Sequence, residues 1–173
     1  VTAPPPIFFL ALAPPMRIER IGLREIRLPL KEPFRISSGV VHERRILLLE
    51  LHDSSGASAW SECVAGEAPN YSSETIDTAW MVIEQWVAPL VLGREIEHPG
   101  SLHEILEQDF REHRMAKAAV EMGCWAVAAT LAGEPLATFI GGTRREIATG
   151  ISLGIQSTPE ALVERVRVAL AEA

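Results

Sequence analysis

The sequence is poor in several things, and each shortage removes a class of function. It has only two cysteines, Cys63 and Cys124. They stand in apolar surroundings without Cys-x-x-Cys or Cys/His spacing, which argues against a zinc site or a disulfide framework. They read as two small buried hydrophobes, in keeping with a reducing cytoplasm. Positive charge is short as well: 16 Lys and Arg against 23 Asp and Glu give a net charge of −7 and a pI near 5.3. There is no basic footprint for nucleic acid or anionic lipid, so a small molecule or a protein is the expected partner. No segment approaches the roughly 20 apolar residues that span a bilayer, and no internal repeat is visible. The histidines, His42, His52, His98, His103 and His113, are dispersed, without the i, i+4 pair of a helical metal site. The lysines are Lys31, on a charged turn, and Lys117, in a helical motif. Both read as solvated or structural rather than as catalytic bases. Glu62 and Glu67 read as a strand end and a solvated loop acid, because Cys63-Val64-Ala65-Gly66 between them gives no rigid spacing.

What is present is a globular composition, 47% hydrophobic and 23% charged, enough for one or two small domains. Residues 1–15 differ in character, with Pro4-Pro5-Pro6, an apolar run and Pro14-Pro15. They are expected to form a disordered extension, with Met16 opening the folded protein. Ile18 to Leu30 suits an extended conformation, and Pro29 and Pro33 exclude a helix there. A loop is expected from Phe34 to Glu43, then a strand over Arg45–Leu51, a turn at Asp53-Ser54-Ser55-Gly56, and a third strand from Ala57 to Glu62. That order makes a three-stranded antiparallel meander.

The period then changes. Ile76, Trp80, Ile83 and Val87 recur at helical spacing after Ser72, the expected N-cap, and Pro89 and Gly93 close this helix. Ser101 and Glu104 form a predicted capping box for a second helix. A third is expected from Arg114 to Ala132, stopped by Gly133 and buried because it is apolar nearly all round. After Pro135 and Gly141-Gly142, Ile147 to Ile155 reads as a strand covered on both faces. Thr158-Pro159-Glu160 then opens a helix carrying Leu162, Val163, Val166 and Leu170. Strands, then helices, then one β-α unit fit an α+β domain leading into an alternating α/β domain.

Six ordered segments carry a family resemblance: Phe34-Arg35-Ile36-Ser37-Ser38-Gly39, Trp60-Ser61-Glu62-Cys63, Glu67-Ala68-Pro69-Asn70-Tyr71-Ser72-Ser73-Glu74, His113-Arg114-Met115-Ala116-Lys117-Ala118-Ala119, Gly141-Gly142-Thr143-Arg144, and Gly150 to Gln156. In order and spacing they resemble the o-succinylbenzoate synthase and N-acylamino acid racemase branch of the enolase superfamily. The resemblance implies a cap domain over residues 16–145 and, over residues 146–173, the first β-α unit of a truncated (β/α)8 TIM barrel. A complete barrel takes about 250 residues.

It also implies a cytoplasmic, homo-oligomeric parent enzyme acting on a small carboxylate, with no nucleic acid or membrane partner. In such a parent a divalent metal, Mg2+ or Mn2+, binds the substrate carboxylate, and two lysines on barrel strands act as bases. Neither the lysines nor the three acidic metal ligands match positions here, so this chain is expected to hold no catalytic residue and no metal. The residues carried over are substrate-facing: Phe34, Ser37 and Ser38 in the first loop, Tyr71 in the second, and Ser152 near the end of the first barrel strand. The family usually has an aspartate after Trp125; Ala126 and Thr130 depart from that pattern, which is expected to leave a buried group without its partner. Two other readings stay open: a noncatalytic binding or oligomerisation module and, within the enzymes, a dipeptide epimerase or muconate cycloisomerase.

Overall fold

The computed structural model describes residues 14–37, 39–108 and 110–171. The expected extension, residues 1–15, lies almost wholly outside them, as does Ser38. The chain divides into two compact units. The first takes residues up to 26 together with 45–143; the second takes 27–44 and 144–173.

The first unit is built on a sheet of order β3-β2-β1-β4, where β1 is Met16–Ile36, β2 Gly39–Asp53, β3 Ser58–Cys63 and β4 Glu95–Ile96. The expected meander is present, with a fourth strand added: β4 pairs antiparallel with β1 through Met16↔Ile96 and Arg17↔Glu95. Two residues carry too little pattern to be read as a strand from sequence. β2 and β3 pair antiparallel from Leu47↔Cys63 to His52↔Ser58. Leu47, Leu49 and Leu51 therefore face one side by the period of two, and all three are fully buried. On β1 the inward set shifts from Met16 and Ile18 to Ile21 and Leu23, so an extra residue is absorbed between them as in a bulge.

Against this face lies α4, Arg114–Leu131, with Ala116, Ala119, Val120, Cys124 and Val127 buried. Its small residues let helix and sheet approach closely. At Gly123 an added Cβ would stand 2.4 Å from Leu51 Cδ1 and 3.0 Å from Ser61 Oγ. Ser61 donates to the Ala119 carbonyl at 2.7 Å, tying β3 to the same helix. α4 ends at Gly133, whose φ of +69° suits glycine. Where the missing aspartate predicted an orphan, Thr130 Oγ1 instead donates to the Ala126 carbonyl at 2.9 Å. Among the described residues the buried side-chain atom without a partner is His113 Nδ1.

The first helix differs from expectation at its start. Its N-cap is Thr75, not Ser72: Thr75 and Thr78 make a reciprocal capping box at the head of α1, Ile76–Val82. The rod continues through a π turn, Ile83–Val87, into α2, Ala88–Val91. Pro89 explains the wide turn, because its ring lacks the N–H for the regular bond and would collide with the carbonyl four residues before it. At the second helix the predicted Ser101–Glu104 box is not formed. His98 Nδ1 accepts from the Gly100 N–H at 3.1 Å, and Ser101 Oγ donates to the His98 carbonyl at 2.8 Å, ahead of α3, Leu102–Gln108. A short α5, Leu136–Phe139, places Phe139 in the core.

In the second unit the expected loop from Phe34 to Glu43 is replaced by strand: β1 runs to Ile36 and β2 restarts at Gly39. Side chains there are mostly exposed, so no hydrophobic alternation marks them. Pro29 and Pro33 are four apart, an even spacing that aims both missing N–H groups at the same strand edge. β4 pairs only with Met16 and Arg17, so that edge lacks a ladder to break. The predicted strand Ile147–Ile155 is not formed among the described residues; its tie to β1 is the Ile155 N–H donating to the Arg35 carbonyl at 2.8 Å. Strand-like composition is not enough without neighbours to complete a ladder. The terminal helix, α6 Pro159–Ala171, forms as expected from Thr158, whose Oγ1 accepts from the Ala161 N–H at 3.2 Å. Its Leu162, Val163, Val166 and Leu170 are nonetheless exposed.

Candidate functional site

Two places hold the residues expected to meet a substrate, one in each unit. In the second, Glu32, Pro33 and Phe34 of β1 line a shallow cavity of about 130 Å³ with Ser152, Leu153, Gly154, Gln156 and Arg165. The geometry has local causes. Gly154 packs so tightly that a Cβ would meet the Arg35 backbone N and O at 3.1 Å and Phe34 Cδ2 at 3.3 Å, so a side chain there would push the tail from the hairpin by a few tenths of an ångström. Gln156 Nε2 donates to the Gly154 carbonyl at 2.9 Å, and Arg165 reaches Glu32 at 2.7 Å. Phe34 and Ser152 are thus brought to one cavity, while Ser37 stands exposed at the hairpin tip. The volume falls well short of the roughly 300 Å³ at which a pocket encloses a small-molecule ligand, so this is a shallow depression and not an enclosed pocket.

Glu32 and Arg165 are not singled out from sequence, and Gln156 stands there only as the end of the Gly150–Gln156 motif. Isolated polar residues carry no period, and the Arg165–Glu32 pair depends on contacts between distant parts of the chain.

In the first unit Tyr71 is 98% exposed on a loop closed at its base by the Ile76 N–H donating to the Gly66 carbonyl at 2.9 Å. An N-cap at Ser72, as expected from the sequence, would put Glu74 in the first turn of α1. Instead its buried carboxylate accepts from the Met115 N–H at 2.9 and 3.1 Å and from the Ala116 N–H at 3.1 Å, at the head of α4. Lys117 is structural, as read: its ammonium is buried, bonds Glu107 Oε1 at 2.8 Å and the Phe110 carbonyl, and lies 4.8 Å above the Phe110 ring. The hydrogen bond from Lys117 holds the Glu107 carboxyl below its ordinary range, against the opposing effect of burial.

Neither cysteine is poised for chemistry. Burial pushes the Cys124 thiol up to about 12, and burial raises Cys63 as well, so both stay protonated and inert. Glu62 and Glu67 are exposed. Among the described residues no three His, Cys, Asp or Glu side chains come together, so the residues present do not fit a metal cage, and no chemical step can be routed through one here. No described helix is long and apolar enough to cross a membrane.

Comparison with known proteins matches this arrangement. The mandelate racemase / muconate lactonizing enzyme N-terminal domain covers residues 20–141. The chain is 38% identical over 149 residues to an o-succinylbenzoate synthase of Geobacillus kaustophilus, spanning 86% of this chain and 40% of that protein. It is 41% identical over 145 residues to an N-succinylamino acid racemase of Thermus thermophilus, spanning 84% of this chain and 39% of the relative. The chain therefore spans about two-fifths of the length of the curated relatives it matches. An enolase-superfamily protein of Listeria innocua superposes with a TM-score of 0.84 at 31% identity, over 90% of this chain and 42% of that structure. The L-Ala-D/L-Glu epimerase of Bacillus subtilis superposes with a TM-score of 0.82 at 25% identity, over 91% of this chain and 43% of its own. By fold, motif order and extent of match, this chain belongs to the mandelate racemase / muconate lactonizing enzyme N-terminal domain family of the enolase superfamily, akin to its o-succinylbenzoate synthase and N-succinylamino acid racemase members.

Proposed function

We propose that this chain is the substrate-enclosing part of an enzyme that removes a proton next to a carboxylate, of the o-succinylbenzoate synthase or N-acylamino acid racemase kind. Residues 146–173 would then be the first β-α unit of its barrel. In that reaction the C–H bond beside the carboxylate breaks, the proton passes to a base, and the electron pair enters an enediolate. Such a dianion is unstable in water, and a divalent cation held elsewhere in the parent would supply the compensating charge. The chain would supply residues that face the substrate: Phe34 and Ser152 in the second unit, Tyr71 on its exposed loop in the first, and Ser37, with Ser38 lying outside the described residues. The observation that carries this reading is the family match over residues 20–141 together with Phe34 and Ser152 lining one partial cavity.

The test is exchange of the α-hydrogen for deuterium, followed by proton NMR with Mg2+ present, on o-succinylbenzoate precursor and N-succinylamino acid substrates. The 173-residue chain alone is expected to be inert. A protein that joins it to a barrel bearing the lysines and acids is expected to exchange, and Phe34→Ala in that protein should raise KM more than it lowers kcat. Failure of the joined protein on every substrate, with Mg2+ or Mn2+, would overturn the reading. The likeness to the dipeptide epimerase favours adding L-Ala-L-Glu to the panel; turnover of that substrate alone would move the assignment within the superfamily.

A further inference from the structure

The start of α4 is unusual. His113, its N-cap residue, has φ +52° and caps nothing with its side chain, and Glu112 before it has φ +57°. Two successive left-handed residues, neither of them glycine, are strained and persist only where the surroundings hold them. A helix entered this way leaves its first amides without local partners. Those amides are bonded from another part of the chain, by both oxygens of Glu74. Glu74 is 9% exposed, so the bonds are shielded from water, and they are set at the positive end of an 18-residue helix.

Glu74 also ends the Tyr71 loop. Its own N–H donates to Ser72 Oγ at 3.2 Å, and two residues on, Ile76 closes the loop's base on Gly66. Tyr71 is almost fully exposed, so it contributes little packing to hold its loop. The loop's order must come from its ends. We propose that Glu74 is a positioning residue: by bonding the first amides of α4 it fixes where the Tyr71 loop leaves the domain, and hence where Tyr71 stands. The motif that ends in Glu74 and the motif that opens α4 are in this sense one device. Its meaning for substrate capture rests on the function proposed above; the ordering of the loop does not.

Tyr71 is the sole tyrosine of the chain, so labelling with 15N-tyrosine yields a single amide signal that reads this loop and nothing else. In the parent chain its backbone order parameter should lie above about 0.6, and in Glu74→Ala it should fall below about 0.6. Glu74→Gln places an NH2 where an oxygen faced an N–H, and is expected to fall between. Ser61→Ala, which removes a different tie to α4, serves as control: it should lower the melting temperature and leave the Tyr71 signal unchanged. A disordered Tyr71 in the parent, or an unchanged one in either folded Glu74 variant, would overturn the proposal and leave Glu74 as a helix cap alone. Should Glu74→Ala not fold, the Gln variant decides. No substrate enters this measurement, so its failure is separate from failure of the exchange assay.

Discussion

Gly123→Ala sets two effects of known size against each other. Alanine in a helix interior is favoured over glycine by about 1 kcal/mol. The new methyl carbon, however, would lie 2.4 Å from Leu51 Cδ1, 2.9 Å from Cδ2 and 3.0 Å from Ser61 Oγ, against the usual carbon contact of about 3.5–4.0 Å. Leu51 is fully buried, and both of its end methyls are already too close, so turning the side chain exchanges one collision for the other. Overpacking of this kind costs about 1–3 kcal/mol. A contact as short as 2.4 Å belongs to the upper part of that range, so the net expectation is a loss of about 1–2 kcal/mol, or a drop of roughly 2–8 °C in Tm for a chain of this size. Urea denaturation followed by circular dichroism measures it. Leu51→Ala alone should lose about 2–5 kcal/mol, and the double variant should be more stable than the sum of the two by at least about 1 kcal/mol, because the small residue makes room for the new methyl. A Gly123→Ala protein as stable as its parent, or strictly additive variants, would show that helix and sheet are not in the close contact described.

Three further outcomes follow from the bonds around the turns. Burial pushes the Asp53 carboxyl up, but the Ser55 hydroxyl and the amides of Ser55, Arg17 and Ser54 outweigh it and hold it below its usual 3.8. The folded state is therefore favoured above that value and loses this contribution as the pH falls through the lower folded one; acid titration of Asp53→Asn should show a shallower loss of stability below pH 4 than the parent. Thr75→Ala removes half of a capping box and should destabilise the chain by about 1 kcal/mol in thermal melts. Glu107→Gln should lower Tm at neutral pH by withdrawing the charge facing the buried Lys117, and the gap from the parent should close in acid as the depressed Glu107 carboxyl is protonated.

The parts of the fold that could be read from sequence are those decided locally. The Asp53–Gly56 turn, the stop at Gly133, the start at Thr158 and the buried α4 each announce themselves through residue chemistry within one turn of chain. The parts that could not be read are decided by distant partners. Ser72 and Thr75 both have N-cap chemistry, and the choice between them follows from Glu74 being drawn to α4, 41 residues on. The outer half of the β1–β2 hairpin is exposed, so alternation is silent there and the prolines suggest a break. Ile147–Ile155 has the composition of a buried strand but pairs with no strand among the described residues. The same division applies to the site. Phe34 and Ser152, named through motif resemblance, line one cavity, whereas the Glu32–Arg165 pair beside them joins residues 133 apart, which no short segment encodes.

Glu74 and Thr75 are consecutive, yet one seals the start of α4 and the other the start of α1. A single peptide link thus joins the openings of two helices far apart in the chain. Neither first turn can fray alone without pulling on the other, so their amides should exchange with solvent together, as one cooperative unit. Heating would then melt both entrances at the same temperature.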